Sequence, residues 1–371
     1  KLACVHAIAD LAHQERPDMM AMGYAEQESG FGADYLIPKP FDPRLITRIA
    51  PAVAAAAMQS GVATRPIADL EAYRQRLNQF VYQSGLVMKP VFERAKRVPK
   101  RLVYAEGEEP KVLRAVQVVV DEALAYPILV GRPSVVEKRI ADLGLRLRAG
   151  EHFELVNPDS DPRYREYWTL YHSIMQRRGV SPETARREVR RRTTLIGSLM
   201  ICRNEADAMI CGTFGAYTEH LKYVRDVLGM RPGVKNAAAM NMLLHPEGLF
   251  FICDTYVNID PSAQEIAEMT LLAAEEVQRF GITPKVALLS HSSFGSSQSA
   301  SAQKMREALQ LISALAPNLE VEGEMHGDAA LSEDLRAEVF PDSRLKGRAN
   351  LLVAPNLDAA NISFNLLKAL G

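Results

Sequence analysis

Several residue types and patterns that mark particular classes of protein are scarce in this chain of 371 residues. It contains one tryptophan and four cysteines, and the cysteines form no C-x-x-C pair. Scattered cysteines in apolar surroundings predict buried, reduced thiols, which favours the cytoplasm. The eight histidines do not supply the clustered spacing of a zinc site, so we expect no metal site within these residues.

Neither sign of charge dominates the chain. Forty-four basic and 45 acidic residues leave a formal net charge of -1, which argues against a dedicated nucleic-acid surface. No apolar run approaches the roughly 18 residues that would span a membrane. We therefore expect neither a nucleic-acid partner nor a membrane partner.

One basic run, residues 186–192, contains five arginines in seven positions. Ser181 and Pro182 upstream are typical of the N-cap and first position of a helix. The arginines then fall late in a short helix, where cations interact favourably with the helix dipole. This setting favours a solvated helix face or a subunit contact over phosphate binding.

An apolar strand pattern at residues 287–289 runs directly into a loop rich in serine and glycine, residues 290–297. Successive backbone N–H groups and small hydroxyls at the start of a helix can hold a phosphate or carboxylate. An ordinary polar loop between a strand and a helix is the alternative, because such loops are common in α/β proteins.

Strand and helix patterns alternate from residue 101 onward. A short buried strand at residues 102–105 precedes a helical pattern, and residues 127–131 form the next strand pattern. This alternation predicts a parallel sheet with right-handed crossovers. Residues 67–82 have helical spacing and predict a linker helix.

The serine-rich loop belongs to a set of five motifs that follow one another along the chain. They are residues 207–212, 254–258, 290–297, 323–330 and 349–357. Through these motifs, the chain from about residue 86 to its end resembles the phosphotransacetylase family.

Residues 1 to about 80 resemble the end of a bacterial malic enzyme, through residues 31–44 and the alanine-rich helix pattern after them. The two parts in this order resemble the hybrid malic enzymes of bacteria, usually NADP-dependent. The chain begins at Lys1 rather than methionine, so we expect a piece of a longer protein. No Gly-x-Gly-x-x-Gly follows a strand in this part. The resemblance thus places the residues for NADP (or NAD), Mg²⁺ or Mn²⁺ and malate upstream.

The resemblance implies an α/β protein with a phosphotransacetylase-like two-lobed fold of mostly parallel sheets flanked by helices. The end of a Rossmann-like malic enzyme domain and a linker helix would precede it. The implied domains are residues 1–63 for the end of the NAD(P)-binding domain, 64–95 for the linker helix region, 96–231 with 349–371 for lobe I, and 232–348 for lobe II.

Three positions depart from the motifs of active phosphotransacetylases. Met175 stands at the arginine of an Arg-Lys-x-Lys-Gly motif, Lys222 at the arginine of Thr-Thr-Ala-Asp-x-x-Arg-Pro, and Phe294 at the lysine of Ser-Thr-Lys-Gly-Ser. Losing one well-placed charged contact costs about 3 kcal/mol in an active site, roughly a hundredfold in rate. We therefore assign no catalytic residue and expect inefficient acetyl transfer.

The residues expected to bind acetyl-CoA or CoA lie in these motifs or at the carboxyl ends of strands. They are Lys222, Ser290, Ser292, Ser293, Phe294, Gly295, Ser296, Asn356 and Asn361, with Tyr217, Thr218, Asp254, Asn258 and Arg178 as further candidates. Structural alternatives stand beside them. Lys222 is equally a surface lysine, whereas we favour packing for Phe294 and loop capping for Asp254 and Asn258.

Three functions compete. The leading hypothesis is the C-terminal regulatory portion of a malic enzyme, which decarboxylates malate oxidatively to pyruvate, with acetyl-CoA as an allosteric effector of the upstream malic enzyme domain. An active phosphate acetyltransferase is the alternative, and a purely structural oligomerisation domain comes third. A homo-oligomer is expected, and the resemblance implies a hexamer.

Overall fold

The computed structural model describes residues 1–13, 36–38, 42, 44–245 and 247–370, without the side chains of residues 79–86. Most of the predicted malic enzyme motif at residues 31–44 lies outside the described residues. The strands are β1 Lys100–Tyr104, β2 Ala125–Val130, β3 Glu154–Val156, β4 Ala208–Ile210, β5 Met240–His245, β6 Gly248–Cys253, β7 Lys285–Leu289, β8 Glu320–Met325 and β9 Leu351–Val353. The helices are α1 Leu2–His13, α2 Arg44–Gln59, α3 Leu70–Arg97, α4 Pro110–Asp121, α5 Pro133–Asp142, α6 Tyr164–Met175, α7 Pro182–Arg191, α8 Thr193–Cys202, α9 Tyr217–Val227, α10 Ala263–Arg279, α11 Ala300–Leu315, α12 Gly327–Leu331, α13 Glu333–Val339 and α14 Leu357–Leu370.

The chain divides into two compact units. The four-strand unit comprises Phe92–Lys235, and the five-strand unit comprises Asn236–Gly371 together with Lys1–Val91. The division after Lys235 lies close to the lobe boundary predicted at residue 231.

The four-strand unit contains a fully parallel sheet in the order β3-β2-β1-β4. Successive side chains of a strand point to opposite faces, and both faces of this sheet are covered by helices. Val103 and Ile128 pack in a core with residues of α6 to α9, whereas Tyr104 and Leu129 pack with residues of α4 and α5. This double coverage explains why residues 102–105 and 127–130 are continuous apolar runs in the sequence.

The five-strand unit contains a sheet in the order β5-β6-β9-β7-β8, in which only the β5–β6 pair is antiparallel. Its strands alternate in the same way. Phe251 and Leu288 face α10 and α11, whereas Ile252 and Ala287 face a second core that includes Phe364 of α14. The predicted α/β class with mostly parallel sheets is therefore confirmed.

The assignment of residues 349–371 to lobe I is wrong. Strand β9 pairs with β6 and β7, in the middle of the five-strand sheet. The physical reason is that its three residues are fully buried, so the strand needs a neighbour on each side to satisfy its backbone. Asn350 fixes this position, because its Oδ1 accepts from the Lys285 N–H at 2.8 Å and its Nδ2 donates to the Thr283 carbonyl at 2.8 Å.

Within the described part of residues 1–63, α1 and α2 pack together, and the sheet of a Rossmann-like domain is not shown by these residues. The helix predicted over 67–82 begins at Leu70 and continues to Arg97, past Pro90. Among the described helices, none combines the length and apolarity needed to cross a bilayer.

Asp207, the residue before the edge strand β4, forms hydrogen bonds with Arg101 of β1. Its carboxylate accepts from the Arg101 backbone N–H at 2.8 Å and from Arg101 Nη2 at 3.0 Å. The hydrogen bonds from the Arg101 side chain and backbone lower the pKa of Asp207 to about 2. The carboxylate of an unfolded chain has a pKa of about 3.9, so this stabilisation is fully present above that pH and is lost as the pH falls through about 2.

We expect carboxyl ¹³C NMR to give a midpoint near pH 2 for Asp207. In an Arg101→Met variant the midpoint should rise toward the value of an unpaired aspartate, because only the backbone donor remains. An unchanged midpoint in that variant would contradict the assigned cause.

Candidate functional site

The carboxyl ends of β6, β9, β7 and β8 lie side by side at one edge of the five-strand sheet. The segments that follow these strands are residues 254–260, 354–356 and 290–299 and His326. In open α/β sheets this edge is where ligands bind. Most of the predicted site residues are therefore brought to one edge of one unit.

The serine loop, residues 290–299, is folded around an acceptor from the protein itself. The Ser292 hydroxyl donates to Glu324 Oε1 at 2.6 Å, and the Gly295 N–H donates to the same oxygen at 3.1 Å. The Ser293 N–H donates to Ser296 Oγ at 3.0 Å, and the Ser297 N–H donates to Ser292 Oγ at 2.9 Å. These hydroxyl and N–H groups, which the sequence predicts as donors to an external anion, therefore donate to acceptors within the protein.

Glu324 and Arg306 form the centre of this arrangement, and sequence reasoning missed both roles. The Glu324 side chain is completely buried, and Arg306 Nη1 lies 2.8 Å from its Oε1. Arg306 also donates to the Ser297 carbonyl at 3.1 Å. Glu324 Oε2 is buried without a hydrogen-bond partner among the described residues. The motif at 323–330 contained Glu324, but its partner lies 18 residues away on α11, with no local signal linking them.

Phe294 is held by packing and by backbone contacts. Its ring stacks on Phe340 with a centroid distance of 4.8 Å and an interplanar angle of 30°. Its backbone lies in the left-handed region, with φ at 49°, and its N–H donates to the Glu324 carbonyl at 2.8 Å. These contacts correspond to the packing alternative.

Asp254 and Asn258 organise the loop after β6. The Asp254 side chain is buried, and its Oδ1 accepts from the Ala239 N–H at 3.0 Å and from two further backbone N–H groups of its own loop. Its Oδ2 accepts from the Asn258 N–H at 2.8 Å and from Asn258 Nδ2 at 2.6 Å. This is the geometry of loop capping, in which the carboxylate oxygens already have several donors.

Asn356 caps α14, and Asn361 of that helix contacts the loop after β6. Asn356 Oδ1 accepts from the Ala359 N–H at 2.9 Å, which caps the start of α14. Asn361 Nδ2 donates to the Thr255 carbonyl at 3.1 Å. Both amides thereby fix the loops that a ligand at this edge would contact.

The remaining predicted residues belong to the four-strand unit, where Asp226 brings two of them together. Arg178 Nη1 lies 3.1 Å from Asp226 Oδ1, and Lys222 Nζ lies 3.5 Å from Asp226 Oδ2. Both cationic side chains are more than half exposed, so these ion pairs contribute little stability and leave both cations accessible. Tyr217 and Thr218 lie in the first turn of α9, one turn before Lys222.

Met175 is buried in the core of the four-strand unit, packed with residues of α6 to α9. The position at which the family motif carries an arginine is therefore part of a hydrophobic core here. A methionine in this setting contributes packing and offers no donor to a phosphate.

A second buried glutamate, Glu106, lies just after β1 and was also missed by sequence reasoning. Its carboxylate accepts from the Gly212 N–H at 3.1 Å, in the loop after β4, and His220 Nδ1 lies 3.8 Å from it. Burial raises the pKa of the neighbouring Cys211 thiol, which keeps it protonated and weakly nucleophilic. Across the part of the chain that the structure describes, no group of three or more His, Cys, Asp or Glu side chains is arranged to hold a metal ion.

The fold and its motifs define the class of protein. The family model described as Phosphate acetyl/butaryl transferase matches residues 86–371, and the chain belongs to this family. Among solved structures, the chain is similar to a phosphotransacetylase from Streptococcus pyogenes, with 27% identity and a TM-score of 0.70 over 77% of this chain and 86% of that chain.

Curated relatives extend the similarity through the N-terminal part. The chain is 58% identical to the NADP-dependent malic enzyme of Escherichia coli (strain K12) over 368 residues, 99% of this chain and 48% of the relative. It is 56% identical to the NAD-dependent malic enzyme of Rhizobium meliloti (strain 1021) over 371 residues, 100% of this chain and 48% of the relative. The chain thus spans about half the length of these relatives. The predicted resemblance to malic enzymes with a phosphotransacetylase-like domain is confirmed.

Proposed function

We propose that this chain is the C-terminal regulatory portion of a malic enzyme, that it binds acetyl-CoA as an allosteric effector, and that it transfers acetyl groups poorly. The whole protein would decarboxylate malate oxidatively to pyruvate. NADP or NAD and Mg²⁺ or Mn²⁺ would bind mainly to residues upstream of this chain. Pyruvate is used for acetyl-CoA synthesis, so acetyl-CoA binding would let the concentration of a compound made from the product regulate the enzyme. A coupling of about 1–3 kcal/mol between the two sites would suffice.

The surroundings of the three residues that depart from the family motifs, Met175, Lys222 and Phe294, support this proposal. Met175 is a core residue, Lys222 pairs with Asp226, and Phe294 stacks on Phe340. Acetyl transfer from acetyl phosphate to a thiol depends on positioning both reactants and on cations that stabilise the developing charge. The family fold is retained, whereas two of the three positions are apolar and the third carries a lysine in place of an arginine that could bind phosphate bidentately.

The serine loop gives further support for impaired transfer. A phosphate oxygen that used the Ser292 hydroxyl and the Gly295 N–H would have to displace Glu324 Oε1, which Arg306 also contacts. Acetyl-CoA binding would instead use the exposed side of this edge, including the Ser296 side chain. Lys222, on the four-strand unit, is a separate candidate contact for the same ligand. The proposed assembly is a homo-oligomer, with a hexamer implied by resemblance.

Calorimetric titration with acetyl-CoA tests the proposal when turnover of acetyl phosphate and CoA is assayed on the same sample. We expect micromolar binding, about -8 kcal/mol, with turnover at least roughly a hundredfold below that of an active phosphotransacetylase assayed in parallel. Turnover at ordinary enzyme rates would establish the alternative, an active phosphate acetyltransferase. Absence of binding and turnover would leave only an assembly role.

A Lys222→Arg variant tests the predicted ligand residue. Arginine presents a planar fork that binds phosphate bidentately, so we expect acetyl-CoA to bind several-fold more tightly. Lys111→Arg is the matched control, because Lys111 is an exposed lysine on α4 of the same unit. If the Lys222→Arg and Lys111→Arg variants bind acetyl-CoA with equal affinity, Lys222 does not belong to the binding site.

A further inference from the structure

Helices α6 and α7 of the four-strand unit form an open groove rich in arginine. Its volume is about 750 Å³, and it is lined by Tyr164, Arg165, Trp168, Glu183, Arg186, Arg187, Arg190 and Arg191. Five arginines and one glutamate give the lining four net positive charges, whereas the whole chain carries a formal charge of -1. The groove is therefore a local concentration of positive charge on a nearly neutral protein.

Two of these arginines are held in place by aromatic rings. The Arg186 guanidinium carbon lies 4.4 Å from the centre of the Trp168 ring, and that of Arg190 lies 4.7 Å from the centre of the Tyr164 ring. The Tyr164 hydroxyl donates to the Arg186 carbonyl at 2.8 Å, which ties the two helices together. Cation–π contact uses none of the guanidinium N–H groups as donors, so they remain able to bind an oxyanion bidentately.

The cluster lacks matching negative charge. In the described part of the chain, Arg165, Arg186, Arg190 and Arg191 have no carboxylate within ion-pair distance, whereas Arg187 of the same groove lies 4.0 Å from Glu188. Arg186 and Arg190 are four residues apart on one helix, and like charges at this spacing repel. The buried side chains of α7 are Ala185 and Val189, so the arginines are not part of its buried face. A bound polyanion would relieve this repulsion.

The sequence favours a solvated helix face or a subunit contact for residues 186–192, but the contacts with Trp168 and Tyr164 hold two of the arginines in place. We propose that the groove binds a ligand with two adjacent phosphate groups, such as the diphosphate of a nucleoside diphosphate. The guanidinium groups of Arg186 and Arg190 are held side by side, and each can bind one oxyanion. Together they match a ligand that carries two oxyanions a short distance apart. The cluster is confined to one ten-residue helix and Arg165, and the chain as a whole is not basic. This local distribution favours a small polyphosphate over a nucleic-acid backbone, which needs an extended basic surface. None of these residues is among those predicted to bind acetyl-CoA, so the groove is a separate site. Acetyl-CoA also carries a diphosphate, and the double variant of Arg186 and Arg190 distinguishes the two sites.

The position of Trp168 makes the test specific. It is the only tryptophan of the chain, so intrinsic tryptophan fluorescence reports on this groove alone. The 371-residue chain is titrated with inorganic pyrophosphate, ADP and inorganic phosphate at constant ionic strength. We expect a saturable change with pyrophosphate and with ADP, and at least tenfold weaker binding of inorganic phosphate. Equal affinities for the first two would identify the diphosphate alone as the recognised group, whereas tighter ADP binding would add a nucleoside contribution.

Variants decide whether the arginines are responsible. Since replacing Arg186 alters the fluorescence baseline, variant affinities are measured by calorimetry. The double variant Arg186→Gln with Arg190→Gln should weaken pyrophosphate binding at least tenfold. Arg114→Gln, an exposed arginine on α4, should leave it unchanged. The proposal is overturned if pyrophosphate gives no saturable signal or if the double variant binds it with full affinity. It is also overturned if duplex DNA binds more tightly than pyrophosphate.

Discussion

Replacing Arg306 with methionine should lower the free energy of unfolding by about 3–5 kcal/mol. The Glu324 carboxylate is completely buried, and Arg306 Nη1 is its cationic partner at 2.8 Å. The variant leaves a buried charge with two neutral donors to its Oε1, the Ser292 hydroxyl and the Gly295 N–H. Urea denaturation followed by far-UV circular dichroism measures the loss.

Lys304→Met is the matched control for Arg306→Met, because both residues lie on α11 and both pair with a carboxylate. Lys304 Nζ contacts Asp260 at 2.5 Å, but the Asp260 side chain is 77% exposed. Its removal should cost no more than about 1 kcal/mol. The double variant Arg306→Met with Glu324→Gln should recover part of the loss, since no unpaired charge remains. Equally small effects of Arg306→Met and Lys304→Met would contradict the role of Arg306.

Arg336→Met should destabilise the protein by about 4 kcal/mol, because three backbone carbonyls lose a hydrogen-bond donor. The Arg336 side chain is buried, and its guanidinium donates to the carbonyls of Ala329 at 2.8 Å, Leu345 at 2.9 Å and Gly347 at 2.7 Å. Methionine fills a similar volume but leaves these carbonyls without their donor, at a cost of about 1–3 kcal/mol for each one that stays buried. The variant should also increase hydrogen exchange around α12 and the segment before β9, because Arg336 joins them.

Arg348→Met provides the comparison for Arg336→Met. Arg348 Nε also donates to a backbone carbonyl, that of Leu331 at 3.2 Å, but its side chain is 44% exposed. Water can replace this donor, so the expected loss is below about 1 kcal/mol. Similar losses at the two positions would show that burial of the carbonyls is not the cause.

Local features of the fold were predictable where neighbouring residues decide them. Ser181 caps α7 by accepting from the Thr184 N–H at 3.1 Å, and Pro182 is the first residue of that helix, as the sequence predicts. The strands predicted near residues 102 and 127 pair as parallel neighbours. In each case the side chains that determine the element lie within a few residues of one another.

The candidate site was predictable as a set of loops but not as a set of contacts. The serine loop lies where the sequence predicts, at the carboxyl ends of parallel strands. That Glu324 occupies its donors follows from the pairing of β7 with β8, which brings residues 29 or more positions apart into contact. Hydrophobic periodicity carries no information about which buried carboxylate meets which loop.

The sequence by itself determined the alternation of strands and helices, the start of α7, the family motifs and the three positions that departed from them, because each depends on residue type and short spacing. Only the tertiary structure decided that β9 lies between β6 and β7, that Met175 is a core residue and that Glu324 fills the serine loop. It also paired the arginines of α7 with the aromatic rings of α6. These outcomes depend on contacts between residues distant in the chain, where burial and partner geometry determine the free energy of each side chain.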